Sequence, residues 1–199
     1  SQLSLFKKIP TVMTERLILR KMLPQDAADM YEYAQDPLVT QFLLWEPHVS
    51  IKFTQSYLKF IQTQYAAASF FDWAVTLADS GKMIGTCGFT RFRFSHNAAE
   101  IGYVINPAYR GREIADEAVR AVMRFGFRQL GLHRIEAKYI EGNEASRRVM
   151  EKVGMTFEGV LRESMLVKGA YVDVGVCSIL RSEWKALQEN SLQNTANLE

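Results

Sequence analysis

Hydrophobic and polar positions change their spacing several times along the chain, and each change marks an element. At Arg16–Met22, Leu17 and Leu19 alternate with Arg16, Ile18 and Arg20, which predicts a strand. Pro24 then stands at a favoured helix-start position, and Ala27, Met30, Tyr31 and Ala34 form a helical stripe up to Asp36 and Pro37. Ser50 or Thr54 is suited to cap a second helix, which carries Tyr57, Leu58, Ile61 and Tyr65. Three β-rich segments follow at Phe71–Leu77, Met83–Phe94 and Ala99–Ile105. Asp79, Ser80, Gly81 and Lys82 form a turn between the first two, which predicts an antiparallel hairpin.

The period then lengthens. Ile114, Ala118, Val122, Phe125 and Leu130 keep a helical spacing through Gly131, and a strand at His133–Ile140 follows almost at once. A short helix at Asn143–Lys152 stops at Gly154, and two last strands, Phe157–Val167 and Ala170–Leu180, meet at Lys168 and Gly169. Strand, helix and strand over 99–140 imply a right-handed crossover between parallel neighbours. The expectation is one α/β domain: a mixed, mostly antiparallel sheet of about seven strands with a central parallel pair, and helices on both faces. Its limits are placed at 12–184, with an N-terminal extension at 1–11 and a polar tail at 185–199. Gln188–Glu199 reads as a frayed end.

Composition narrows the class. A chain of 199 residues with 48% hydrophobic and 12% aromatic residues can bury a core and is not a disordered one. No apolar run approaches the ~20 residues of a membrane-spanning helix, so no membrane role is expected. The opening Ser1–Lys8 lacks the layout of a signal peptide, which argues against secretion, so a cytoplasmic location is expected; Ser1 in place of Met points to processing or to a cloning scar. Lys and Arg number 24 against 22 Asp and Glu, a net charge of +2, and no basic stripe demands nucleic acid. Cys87 and Cys177 read as buried reduced thiols. His48, His96 and His133 are scattered and no Cys-x-x-Cys occurs, so no metal is expected. Asp116, Arg120, Arg124 and Arg128 recur at a spacing of four and read as a solvated helix face.

The densest chemistry lies where the strand ending at Ile105 meets the long helix. Arg110, Gly111, Arg112, Glu113, Ile114 and Ala115 combine cations, a glycine and a helix start, whose free N–H groups and dipole suit a phosphate or pyrophosphate. An ordinary loop before a helix carries the same residue types, so the segment alone leaves both readings open.

The loop resembles the acetyl-CoA loop of the GNAT N-acetyltransferases, Gln/Arg-x-x-Gly-x-Gly/Ala. Arg110 and Ala115 match its first and last positions, while Glu113 replaces the central glycine. Asn143 and Ser146 are similar to the family's Asn-x-x-Ser helix, and Glu151, Lys152 and Gly154 to the Glu-Lys-x-Gly-Phe that follows, with Met155 in place of Phe. Thr14–Arg20, Glu100–Tyr103, Glu158–Gly159, Tyr171 with Asp173, and Glu183–Trp184 resemble the branch related to the ribosomal-protein acetyltransferases RimJ and RimL. The resemblance runs in collinear order over about residues 12–184.

It implies attack by a neutral amine on the thioester of acetyl-CoA, with no metal. A backbone N–H on the strand around Tyr103–Ile105 would stabilise the developing oxyanion, with Val104 and Ile105 among the coenzyme-binding residues. Asn143 would bond the pantetheine arm, and Ser146 would donate to the sulfur, the plain alternatives being a helix N-cap and a helix-surface serine. Glu100 is the candidate base, working through water; a strand-surface carboxylate is the plain alternative. Alternation puts Glu100 and Gly102 on one face and Ile101 and Tyr103 on the other, without saying which one meets the cleft. Phe42, Trp45, Phe53, Tyr57 and Tyr65 lie where the family builds its substrate-facing helices; core packing accounts for most of the cluster, with Trp45–His48 the part most open to an amine. The implied acceptor is a protein N-terminal α-amine, with a small-molecule amine as the alternative. A non-catalytic CoA- or partner-binding member is the reading of a different class, and Glu113 keeps it open. A homodimer is also left open.

Overall fold

Leu17 and Leu19 are fully buried and Ile18 between them is not, so the first alternation is a strand, as expected. The structure, a computed structural model, describes residues 9–68 and 70–198, and residues 1–8 of the expected N-terminal extension lie outside the described residues. The strands are β1 (Val12–Met13), β2 (Leu17–Arg20), β3 (Phe71–Leu77), β4 (Met83–Arg93), β5 (Ala98–Ile105), β6 (Arg134–Ile140), β7 (Thr156–Val167) and β8 (Ala170–Leu180). They form one sheet in the order β1-β2-β3-β4-β5-β6-β8-β7, with only β5 and β6 parallel. The sheet has eight strands where about seven were expected, and its mixed, mostly antiparallel order is as expected. The extra one, β1, is two residues long, too short for any periodicity to show.

The α-helices are α1 (Ala27–Ala34), α2 (Pro37–Thr40), α3 (Ile51–Ala66), α4 (Ile114–Arg128), α5 (Glu144–Lys152) and α6 (Arg181–Ala196). In α1 the buried aromatic is Tyr33 rather than Tyr31. Ser50 is the cap of α3, its Oγ accepting the Phe53 N–H at 3.2 Å. Thr54 is instead buried against His48, with Oγ1 to Nδ1 at 2.7 Å. Helix α4 stops at Arg128, short of the expected Gly131, and Gly131 takes φ +63° to turn the chain into β6. The buried side of α4 runs through Ile114, Ala118, Val122 and Phe127. Gly126 lets it settle onto the sheet, since a Cβ there would lie 2.9 Å from the Phe89 ring.

The tail is a second correction. Helix α6 runs through the segment expected to fray. Trp184 is buried and stacks on Phe127 at 5.3 Å, and Leu187, one turn further, reaches the Gly154 turn. These two anchors hold a polar stretch in helical form. The stripe at Asp116 needs a third correction: Arg120, Arg124 and Arg128 are exposed, but Asp116 is buried at the start of α4. Cys87 and Cys177 are both buried and free.

The two faces of β3 show how the layers divide. Trp73 meets Phe125 of α4 edge-on at 5.3 Å, whereas its neighbour Asp72 points the other way, toward the side covered by α1 and α3. The parallel pair is short. Only Ala98–Glu100 of β5 register with Arg134–Glu136 of β6, and beyond Glu100 the two strands part. That parting makes the site.

Candidate active site

Antiparallel strands alternate between residue pairs that exchange backbone hydrogen bonds and pairs that do not. The Asn106 N–H donates to the Ile84 carbonyl at 2.7 Å, so the register makes 104 with 86 and 102 with 88 the bonded pairs. Tyr103 and Ile105 therefore turn their N–H and C=O groups away from β4, toward the space that β6 has left. These are unclaimed sheet-edge groups inside the molecule, suited to an extended amide-containing chain such as pantetheine. The expected Val104 lines the space by its side chain, with its own backbone bonded to β4.

The gap opens into a cavity of about 1600 Å³. It gathers the sequence-predicted coenzyme and catalytic residues with one exception, Arg112. The Arg112 guanidinium lies over the Tyr109 ring at 5.3 Å, outside the cavity, and its carbonyl accepts from Arg16 Nη1 at 2.9 Å. At one end of the cavity sits the start of α4. Gly111 and Glu113 both take positive φ, +77° and +59°, on either side of Arg112. The first intrahelical bond is from the Glu117 N–H to the Glu113 carbonyl at 3.1 Å, so the N–H groups of Ile114, Ala115 and Asp116 precede the helical ladder. Free N–H groups after an alternation of backbone hand form a concave anion site. Lys152 reaches this end through Glu113, and Arg110 and Arg148 also line the cavity.

The opening motif has a structural task here. Glu117, in the first turn of α4, accepts from the Thr14 hydroxyl at 2.5 Å, the Arg16 N–H at 2.9 Å and Arg16 Nε at 2.8 Å. Burial would raise the Glu117 pKa, but these bonds outweigh it and hold the carboxyl below its ordinary value. Thr14 and Arg16 thus fix the helix start and, through the Arg112 carbonyl, the loop before it.

Glu113 stands where the resemblance expects glycine, and its backbone adopts the left-handed conformation glycine takes freely. Its side chain is exposed and pairs with Lys152 Nζ at 3.2 Å. Glu113→Gly is expected to relieve the strained φ and release Lys152 toward an anion. The expected gain is about 0.5–1 kcal/mol in stability, and a similar gain in coenzyme binding at low salt. Melting curves and titration calorimetry with CoA check both; a lower Tm or weaker binding would show that Glu113 has a positive role at the loop.

Helix α5 enters the cavity by its first turn. Asn143 caps it, with Oδ1 accepting the Ser146 N–H at 3.2 Å. The Tyr103 hydroxyl donates to Ser146 Oγ at 3.3 Å. Burial pushes the Tyr103 pKa up to about 12, so the phenol stays protonated and able to donate. Tyr103 therefore belongs to the α4–α5 side of β5. Glu100 belongs to the other side, where it pairs with Lys138 Nζ at 3.1 Å and accepts from the Thr90 hydroxyl at 3.1 Å. Both line the cavity because it passes through the parted strands.

On the α1–α3 side the wall is aromatic. His48 lies 5.4 Å from Trp45, 4.9 Å from Phe53 and 5.9 Å from Tyr57, ring to ring. Burial lowers the His48 pKa. Asp72 lines this side too and was missed by the sequence reading. Its signal was present: a carboxylate inside an apolar strand, Phe71 to Leu77, with Gly88 directly across on β4.

A family model described as "Acetyltransferase (GNAT) domain" matches residues 16–156. The chain belongs to the GNAT acetyltransferases. A Bacillus subtilis (strain 168) relative, uncharacterized N-acetyltransferase YoaA, is 36% identical and covers 86% of this chain and 97% of its own. The [Ribosomal protein uS5]-alanine N-acetyltransferase of Escherichia coli (strain K12) is 27% identical over 86% of this chain and 91% of its own. A solved GNAT-family acetyltransferase from Bacillus anthracis superposes with a TM-score of 0.77 at 28% identity, covering 87% of this chain and 99% of that one. The RimJ/RimL resemblance accords with these relatives, and GNAT acetyltransferases use acetyl-CoA. Among the described residues no helix is long and apolar enough to cross a membrane, and no cluster of metal-ligating side chains occurs.

Proposed function

We propose that this GNAT acetyltransferase acetylates a protein N-terminal α-amine by direct attack of the neutral amine on the thioester of acetyl-CoA. The observation that carries the reading is the parting of β5 from β6 between an anion cradle at the start of α4 and the Ser146 hydroxyl on α5. The pyrophosphate sits on the Gly111–Ala115 backbone with Arg110 beside it. The pantetheine arm bonds the unclaimed groups of Tyr103 and Ile105 and the Asn143 amide. The thioester carbonyl takes a backbone N–H of β5 as its oxyanion donor, pre-aimed and free of water competition. Ser146 donates to the departing sulfur and is itself backed by the Tyr103 hydroxyl. Glu100, on the opposite side of β5, accepts the amine proton through water. The acceptor class rests on the uS5-alanine acetyltransferase among the relatives. No metal takes part in this reading, and the protein is taken as cytoplasmic.

Thiol release from acetyl-CoA, followed with short peptides of free or blocked N-terminus and with small amines, tests the proposal. Peptides with a free N-terminus should exceed both the blocked peptides and the small amines. A small amine as the best acceptor would overturn the acceptor class, and release no faster than background hydrolysis with every amine would overturn turnover itself. Glu100→Gln adds a directional check: if Glu100 takes the proton, the rate loss should shrink as pH rises and the amine deprotonates unaided. A loss that stays constant across pH would assign Glu100 to structure.

A further inference from the structure

Across the middle of the sheet, on the side facing α1 and α3, three residues stand in one row: Asp72 on β3, Gly88 on β4 and Gly102 on β5. Two of the three have no side chain, and neighbours close over both: the Phe71 carbonyl oxygen lies 2.3 Å from the position a Cβ of Gly88 would take and Asp72 Oδ1 2.7 Å from it, while the Thr90 methyl lies 2.9 Å from that of Gly102. Asp72 and Gly102 both line the cavity. With strands about 4.8 Å apart, Asp72 stands about 10 Å from Gly102, two strand spacings from the β5 edge where the thioester is placed.

The carboxylate has an unusual setting. No ion pair to Asp72 is present among the described residues, and its backbone bond is to the Trp73 N–H. Glu100, by contrast, is already compensated by Lys138. The surroundings of Asp72 are aromatic: Tyr33 from α1 and Tyr57 from α3 line the same cavity, and burial, with the Asp72 charge second to it, raises the pKa of both hydroxyls. A carboxylate among ring faces, facing a cavity and lacking a cation, is the chemistry that takes an ammonium or guanidinium group.

We propose that Asp72 forms a cation subsite in the acceptor cleft, which holds a second positively charged nitrogen of the acceptor, set several bonds from the amine that is acetylated. This rests on the acetyl-transfer reading of the cleft. The distance excludes Asp72 from direct contact with the thioester, so its part is to choose and orient the acceptor. A peptide with a basic side chain next to its N-terminal amine has this layout, and so does a diamine.

The subsite has a pH signature. Burial pushes the Asp72 pKa from its ordinary value up to about 7, against the lowering effect of the Trp73 N–H. Only the ionised form attracts a cation, so binding strengthens as pH rises through about 7 and is lost as pH falls below it. The titratable groups facing Asp72 are Tyr33 on α1 and Tyr57 and Tyr65 on α3, with Cys87 of β4 nearby on the opposite side of the sheet, all raised by burial and all neutral in this range. His48 lies before α3 with a lowered pKa, the Arg91 side chain on β4 is exposed, and Glu100 on β5 is held by Lys138.

Calorimetric titration of butane-1,4-diamine and of n-butylamine into the protein saturated with CoA reads the subsite without turnover. At pH 8 the diamine should bind about tenfold more tightly than the monoamine. The preference should collapse by pH 5.5 in the unaltered protein, and in Asp72→Asn it should be absent at both pH values. Undetectable diamine binding, equal binding of the two amines at pH 8, or a preference that survives Asp72→Asn would each overturn the subsite. The pH arm stands even if the variant folds poorly. Failure of acetyl transfer shows separately, as absent thiol release with every amine, while the diamine titration is read on its own.

Discussion

Ser146→Ala is expected to lower kcat for the best acceptor about tenfold to a hundredfold, with the affinity for acetyl-CoA nearly unchanged. The reason is the timing of charge. The thioester sulfur is a weak acceptor until the C–S bond breaks, so a hydroxyl aimed at it contributes mainly in the transition state. Ser146 is held for this by two bonds: its N–H donates to Asn143 Oδ1 at 3.2 Å, and its Oγ accepts from the Tyr103 hydroxyl at 3.3 Å. A phenol held protonated by burial can keep donating while the serine hydroxyl turns toward sulfur. Serine itself is a poor acid, which keeps the effect at the low end of the usual range for acid catalysis. Single-turnover rates, where chemistry is observed directly, are the measurement. Full turnover in the variant under those conditions would reduce Ser146 to a helix residue.

Gly85→Ala should destabilise the protein by about 3 kcal/mol and lower Tm by roughly 6–12 °C. Gly85 is buried on β4 opposite Ile105, and a Cβ there would lie 2.0 Å from the Val104 carbonyl oxygen and 3.0 Å from the Ile105 Cα. Both are backbone atoms, so no rotamer change relieves the clash. Strand β5 has to move, and it moves where Tyr103 and Ile105 present their groups to the gap. Coenzyme affinity should therefore fall along with stability. Thermal unfolding with and without CoA checks this, and a Tm within about 2 °C of the parent with unchanged binding would show that the sheet yields there at little cost.

The elements that periodicity could reveal are those whose side chains choose one face. Leu17 and Leu19 mark β2, Ile114 to Phe127 mark α4, and the turn at Asp79–Lys82 joins β3 to β4, because in each case local spacing reports burial directly. Helix α6 was hidden for the opposite reason: its polar residues say little, and its two anchors, Trp184 and Leu187, depend on what Phe127 and Gly154 offer across the fold. The proposed coenzyme side stands out in the sequence as a contiguous loop at a strand–helix junction. The proposed acceptor side does not. Asp72 has meaning only beside Gly88 and Gly102, and that row exists only once the registers of β3, β4 and β5 are known. The bond between Glu100 and Lys138 likewise crosses a parallel pair that no local pattern aligns. Glu113 is the instructive middle case. Its position was marked by the missing glycine, while its consequence, a left-handed backbone with the carboxylate turned out to Lys152, came from the structure.

In the proposed reaction the coenzyme enters between β5 and β6, with its phosphates on the start of α4 and its sulfur at Ser146. A crystal structure of the protein with CoA is the decisive test. Pyrophosphate oxygens are expected on the N–H groups of the Gly111–Ala115 segment, pantetheine amides paired with the Tyr103 and Ile105 backbone, and the thiol within hydrogen-bond reach of Ser146 Oγ. Coenzyme bound with its phosphates away from the α4 N-terminus, or with its thiol out of reach of Ser146 and the β5–β6 gap left unentered, would overturn this placement.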